Sequence, residues 1–321
     1  MKRDLRIVFM GTPEFAVPSL DILLKNNYTV VGVVASTDKE CGRGLQLGMC
    51  EIKKYALEKN LNLLQPESLK SPDFINQLTD LKVNLQIVVA FRMLPEAVWK
   101  LPEYGTFNLH ASLLPQYRGA APINWAIING EKKTGVTTFF INENIDTGKI
   151  IFQEETLIGK NETASELHDR LKIMGAELVL KTVRAIENYS FKTIEQSGVA
   201  EEIKNLKPAP KIFKKDCKIN WTNSVDATHD FIRGLSSYPA AWTEFISPDE
   251  QKFYFRILMA EKEVQEHSYN PGKIITDGKN YLKIAVKDGF IDIRMIQQAS
   301  KKPMSTKEFL RGFCINEKWE I

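Results

Sequence analysis

Short, nearly unbroken apolar runs recur through the first half of the chain, at residues 5–10, 28–34 and 85–90. Runs without polar alternation suit strands buried on both faces, as in a parallel sheet covered by helices. Between them the period changes. Residues 13–26 carry Phe15, Leu20, Leu23 and Leu24 on one helical face, 51–59 repeat the pattern, and Ser71-Pro72 opens a further helix over 71–79. Residues 61–64 read as a short strand, 96–101 as a short helix, and 135–141 and 150–152 as strands. Residues 163–187 form a long amphipathic helix with Leu167, Leu171, Met174, Leu178 and Leu180 among its apolar positions. This alternation of strand and helix predicts an α/β, Rossmann-like first domain with a mostly parallel sheet over 1–189. After Trp221 the pattern changes. A helix near 225–235 precedes short strands around 241–246, 253–260, 272–276, 281–285 and 290–297, parted by Gly, Pro, Asn and Asp turns, and a last helix covers 305–313. Such strands predict a smaller OB-like β-barrel over 210–321. The polar, lysine-rich residues 190–209 read as a linker, and 36–49 as a polar loop.

Charge separates the two parts. Residues 1–189 hold 22 Lys and Arg against 22 Asp and Glu, so the net +3 arises wholly after residue 189, where 21 face 18. Lys204, Lys207, Lys211, Lys214, Lys215 and Lys218 are opposed locally only by Asp216. Such a run is most often a solvated linker face, and it is also where the electrostatic footprint for a polyanion is expected. No run approaches the ~20 apolar residues of a membrane span, and the N-terminus enters a strand without room for a signal peptide. The four cysteines, Cys41, Cys50, Cys217 and Cys314, lack C-x-x-C spacing. That spacing argues against a zinc site or a disulfide framework. The expectation is a cytoplasmic, metal-free protein, and the lack of an obvious exposed apolar helix favours a monomer.

The candidate chemistry lies in residues 105–122, GTFNLHASLLPQYRGAAP. Side chains alternate along a strand, so Asn108 and His110 project to one side and Leu109 to the other. An amide donor beside an imidazole suits a developing oxyanion. The pair stands at a strand end ahead of a helix start at Pro122, where α/β proteins place ligands. Gly11 is not followed by the G-x-G-x-x-G spacing, so a dinucleotide site is not expected there. Taken alone, Asp146 in Asp-Thr-Gly reads as a turn residue, and Phe91 and Met93 as packing.

Asn-x-His followed by Ser112-Leu113-Leu114-Pro115 resembles the folate-dependent formyltransferases. The continuation Arg118-Gly119-Ala120-Ala121-Pro122-Ile123 resembles those members that formylate methionine on initiator tRNA. The resemblance implies formyl transfer from 10-formyltetrahydrofolate to an amine, with Asn108, His110 and Asp146 as the catalytic trio and Glu143 and Glu154 as weaker rivals for the carboxylate. It implies that Ser112, Leu113, Leu114, Pro115, Phe91 and Met93 line the folate side. It also implies that Arg43, in Gly42-Arg43-Gly44, reaches the tRNA acceptor end, with Lys204, Lys207, Lys211, Lys214 and Lys215 as further tRNA contacts. Three alternatives stay open: a sugar-nucleotide formyltransferase, a formyl-folate hydrolase, and a non-catalytic RNA-binding protein that keeps the fold. Formyltransferases of small purine precursors usually lack a second domain.

Overall fold

The computed structural model describes residues 2–41, 46–202, 205–316 and 318–321. The chain divides into two compact units. The first gathers Met1–Gly119, Thr134–Thr156 and His168–Pro208; the second gathers Ala120–Lys133, Leu157–Leu167 and Ala209–Ile321. No single cut separates them: residues 120–133 and 157–167 cluster with the second unit, and most of the polar stretch after residue 189 clusters with the first.

In chain order the elements before residue 190 are β1 (Arg6–Gly11), α1 (Val17–Lys25), β2 (Thr29–Val34), β3 (Lys39–Cys41), β4 (Gln46–Gly48), α2 (Glu51–Glu58), β5 (Leu63–Leu64), α3 (Pro72–Asp80), β6 (Leu85–Val89), α4 (Glu96–Trp99), β7 (Thr106–His110), α5 (Pro122–Ile128), β8 (Lys133–Phe140), β9 (Ile150–Leu157) and α6 (Ala164–Glu187). A seven-stranded sheet runs β5-β2-β1-β6-β7-β8-β9. Pairing is parallel from β5 to β7 and antiparallel between β7 and β8. The unbroken apolar runs have their cause here. Ile7 to Gly11 and all of β6 are buried, and Val8, Met10, Val34 and Val88 share a core with Phe74, Leu78, Leu94 and Val98. Each such side chain contributes roughly 1.5–3 kcal/mol on burial. Helix α3 begins where Ser71 suggests: its side chain accepts the Phe74 N–H at 3.1 Å, and Pro72 fills the first turn.

Three segments depart from the sequence expectation. Within 36–49, β3 and β4 form a two-stranded hairpin. Its base is tied by Thr12 Oγ1 to Ser36 Oγ at 2.8 Å, Gln65 Nε2 to Ser36 O at 2.8 Å, and a Lys53–Asp38 ion pair at 2.6 Å. Polar side chains close these links, so no apolar pattern signals the strands. Second, β9 continues five residues past Phe152, with exposed Gln153, Glu154 and Glu155, because it is an edge strand. Third, the stretch expected as a linker contains structure in its first half: Ile194 exchanges both backbone bonds with Ile150, and a short helix, α7, covers Gln196–Glu202.

The second unit contains α8 (Val225–Leu235), β10 (Ala241–Ile246), β11 (Lys252–Val264), β12 (Ile274–Thr276), β13 (Leu282–Val286), β14 (Gly289–Gln298), β15 (Met304–Ser305) and α9 (Thr306–Gly312). Its antiparallel sheet runs β10-β11-β14-β13-β12, with β15 on β14. Register shifts between Ile257 and Ala260 mark where the long β11 departs from regular pairing, a bulge device that bends a strand. The curled sheet wraps a core that includes Trp221, Phe245, Phe255, Ile291 and Phe309. Helix α8 packs with α5, where the Asn124 amide donates to Gly234 O at 2.8 Å. A buried ion pair fixes α8 further. Arg233 Nε meets Asp230 Oδ1 at 2.7 Å, and its Nη1 donates to Glu162 O at 2.8 Å. Burial pushes the Asp230 carboxyl up, but neighbouring His229 and the Arg233 guanidinium pull harder the other way, holding it below its ordinary value of 3.8. Among the described residues no helix is long and apolar enough to cross a membrane.

Candidate active site

Strand β7 fixes the first two residues of the site. Phe107 and Leu109 are buried, and the alternation between them leaves Asn108 half-buried and His110 at the strand's carboxyl end. Asn108 pairs in register with Val88 on one side and Phe139 on the other. Its side-chain amide has no hydrogen-bond partner among the described residues.

His110 is 6% exposed. Its Nε2 lies 2.7 Å from the carbonyl oxygen of Tyr117, which can only accept, so Nε2 carries a proton. Nδ1 faces Asp146 Oδ2 at 3.7 Å. With Nε2 protonated, Nδ1 bears a proton only in the imidazolium form. The gap is longer than a hydrogen bond, which leaves Nδ1 open to a further acceptor. Among the described residues, Asp146 supplies the carboxylate within ion-pair distance of this ring; Glu143 and Glu154 are exposed.

Asp146 combines its two sequence readings. It sits in a turn at φ 53°, a left-handed conformation that aspartate tolerates better than most residues. Its Oδ2 also accepts the Gly119 N–H at 2.9 Å. Gly119 itself has φ 124°, open to glycine and strained for other residues. Two residues beyond Asp146, Gly148 presses against the sheet: a Cβ there would stand 1.6 Å from Phe140 O.

Sequence reasoning missed two supports. Thr137 Oγ1 donates to Ser112 O at 2.6 Å and accepts the Leu114 N–H at 3.2 Å, while Gln153 Nε2 donates to Leu114 O at 2.7 Å. Gln196, 1% exposed, donates from Nε2 to Asp146 O at 3.0 Å and Gly148 O at 2.8 Å. Its Oε1 accepts from Arg118 Nε at 3.1 Å and Nη2 at 2.6 Å. Burial lowers the Arg118 pKa, opposed by the charge of Asp146. No local pattern marks Gln196, because its partners lie 48 to 78 positions away.

The other expected site residues are spread more widely. Ser112 is fully buried with its hydroxyl donating to Gln116 O at 2.7 Å, and Leu114 packs with Phe139 and Ile150. Pro115 is buried and Leu113 half-buried. Phe91 packs against the core of the first unit, whereas Met93 is 69% exposed. Lys207, Lys211, Lys214 and Lys215 are exposed, with Lys211 Nζ 5.4 Å from the Phe213 ring centroid. Arg43 and Lys204 lie outside the described residues. No group of three or more His, Cys, Asp or Glu among the described residues is arranged to hold a metal ion.

Comparison with known proteins places the chain in a family. Residues 5–183 match the formyl transferase family, and residues 211–314 match the formyl transferase C-terminal domain. The methionyl-tRNA formyltransferase of Bacteroides thetaiotaomicron is 52% identical over 320 residues, covering 100% of this chain and 99% of that protein. That of Flavobacterium johnsoniae is 51% identical over 317 residues, covering 99% of each. Among solved structures, WlaRD, a sugar 3N-formyl transferase crystallised in the presence of dTDP and 5-N-formyl-THF, aligns with TM-score 0.65 at 24% identity. It covers 94% of this chain and 100% of WlaRD. HypX from Aquifex aeolicus in complex with tetrahydrofolic acid aligns at 0.63 and 19% over 97% of this chain and 48% of its own. At those identities the two structures speak to the fold, whereas the full-length kinship settles descent: this chain belongs to the methionyl-tRNA formyltransferase family.

Proposed function

We propose that the protein transfers the formyl group of 10-formyltetrahydrofolate to the α-amino group of methionine on initiator methionyl-tRNA, for translation initiation. The observation that carries this reading is the placement of Asn108, whose amide has no partner among the described residues, two residues before the His110 of a His110–Asp146 pair at the carboxyl end of β7, in a chain half identical to methionyl-tRNA formyltransferases along its whole length. When bound, the folate supplies the formyl group and takes up a proton at the nitrogen it leaves from. Asn108 donates to the oxygen that becomes anionic as the amine attacks. His110 adds a second donor through Nδ1, since Nε2 is held by Tyr117 O. Asp146 orients the ring and, with it or through a water between them, passes the proton from the attacking nitrogen to the departing one. One bond forms between the amine and the formyl carbon, one breaks between that carbon and the folate nitrogen, and the proton balances the exchange. The buried 112–115 turn shapes the folate side chiefly through Leu113 and its backbone, together with Phe91 and Met93.

Single-turnover transfer to methionyl-tRNA tests the assignment. Asn108→Ala should slow it by about 10²–10³, the usual cost of one oxyanion donor. A variant with near-full turnover would sink the role given to Asn108. The lysine-rich segment supports a polyanionic acceptor over a sugar nucleotide, because affinity for phosphate backbones comes from positive charge.

A further inference from the structure

We propose that Gln196, in the segment that reads as a linker, is a positioning residue that holds Asp146 against His110. The proposal rests on the catalytic reading of Asp146 above. All four hydrogen-bonding positions of the Gln196 amide are used: two donors on the carbonyls of Asp146 and Gly148, two lone pairs on the Arg118 guanidinium. Residue 118 adjoins Gly119, whose N–H holds the Asp146 carboxylate. Gln196 therefore closes a ring in which the backbone of Asp146 is fixed from one side and its side chain from the other. A buried side-chain amide with every position satisfied has one well-defined placement. The preceding Ile194 is locked to Ile150 by a pair of backbone bonds at 2.8 and 2.9 Å, so Gln196 enters the ring from a fixed anchor.

The same segment steadies the other partner. The Tyr117 carbonyl that holds His110 Nε2 belongs to a residue whose N–H donates to Lys207 O at 2.7 Å, and the Lys207 N–H donates to Gln116 Oε1 at 2.7 Å. Gln196 and Lys207 thus buttress the two members of the His–Asp pair. The pair itself, at 3.7 Å, has no direct hydrogen bond to keep its spacing, and displacements of ~1 Å at reacting groups can cost ~10²-fold in rate.

The test compares Gln196→Leu, Gln196→Glu and Asp146→Asn in steady-state transfer to methionyl-tRNA, with kcat and KM measured from pH 5.5 to 9 and folding checked by circular dichroism. Gln196→Leu should lower kcat by ~10–100-fold with both KM values within about threefold. It should also flatten the same limb of the kcat–pH profile as Asp146→Asn. Gln196→Glu keeps the acceptor for Arg118 and loses both donors to the Asp146 loop, so it should fall near Gln196→Leu even if the leucine variant fails to fold. Loss of turnover in Asp146→Asn with kcat intact in the folded Gln196 variants overturns the positioning role and leaves Asp146 in place. A rise in KM alone overturns it too. Full turnover by Asp146→Asn removes the catalytic reading, and the inference with it.

Discussion

At the residue scale, strand alternation makes half of the site legible. Asn108 and His110 are two apart in a segment whose intervening residue is buried, so their common side follows from the pleat. Asp146 is legible only through the family motif, because an aspartate in a left-handed turn serves many loops equally well. Gln196 is illegible, since its work consists of bonds to residues far away in the chain. On the proposed mechanism the trio acts as a unit, so its losses should not add. His110→Gln and Asp146→Asn should each lower kcat by more than tenfold, and the double variant should fall little below the worse single one. Additive losses in logarithm would show that the two residues act independently. Gly148→Ala carries a backbone prediction: a Cβ overlapping Phe140 O forces the 146–148 loop to move. The variant should lose both melting temperature and turnover, whereas Gly198→Ala, where a Cβ meets nothing, should keep its melting temperature within the ordinary surface range.

At the element scale, long apolar or amphipathic elements are legible and polar ones are not. Helices α3, α6 and α8 and strand β10 lie within a residue or two of the expected limits because their periodicity comes from the cores they face. The β3–β4 hairpin, the outer half of β9 and α7 are held by polar links or lie at an edge, so nothing apolar announces them. Helix α8 carries a further charge-based prediction. Removing one partner of a buried ion pair leaves the other charge uncompensated, which costs roughly 3–5 kcal/mol. Arg233→Met should therefore destabilise the second unit by that order near neutral pH, read by urea unfolding. The Asp230 pKa is lowered on folding, so the contribution of the pair is full above the unfolded value of 3.8 and lost as pH falls through the folded one. The gap between wild type and variant should narrow only in acid; a gap that is constant down to acid pH would place the cost elsewhere, in lost packing.

At the scale of the whole molecule, the order of fold types is legible from the change of pattern after Trp221, but the interleaving of the units is not. Segments 120–133 and 157–167 join the second unit through partners distant in sequence, such as Asn124 with Gly234 and Glu162 with Arg233. Charge is the other molecular property. Lys211, Lys214 and Lys215 are exposed on the second unit, and each phosphate contact adds about 0.7–0.9 to the slope of log affinity against log salt. Replacing all three with Ala should weaken methionyl-tRNA binding and flatten that slope by up to about 2–3, with kcat at saturating tRNA little changed; an unaltered slope would return these lysines to a solvated surface. The most direct test is formyl transfer from 10-formyltetrahydrofolate to methionyl-initiator tRNA, measured beside elongator methionyl-tRNA and free methionine. Turnover confined to the initiator is the predicted result. Folate turnover that proceeds equally without tRNA would contradict it and point to a hydrolase or a small-amine formyltransferase.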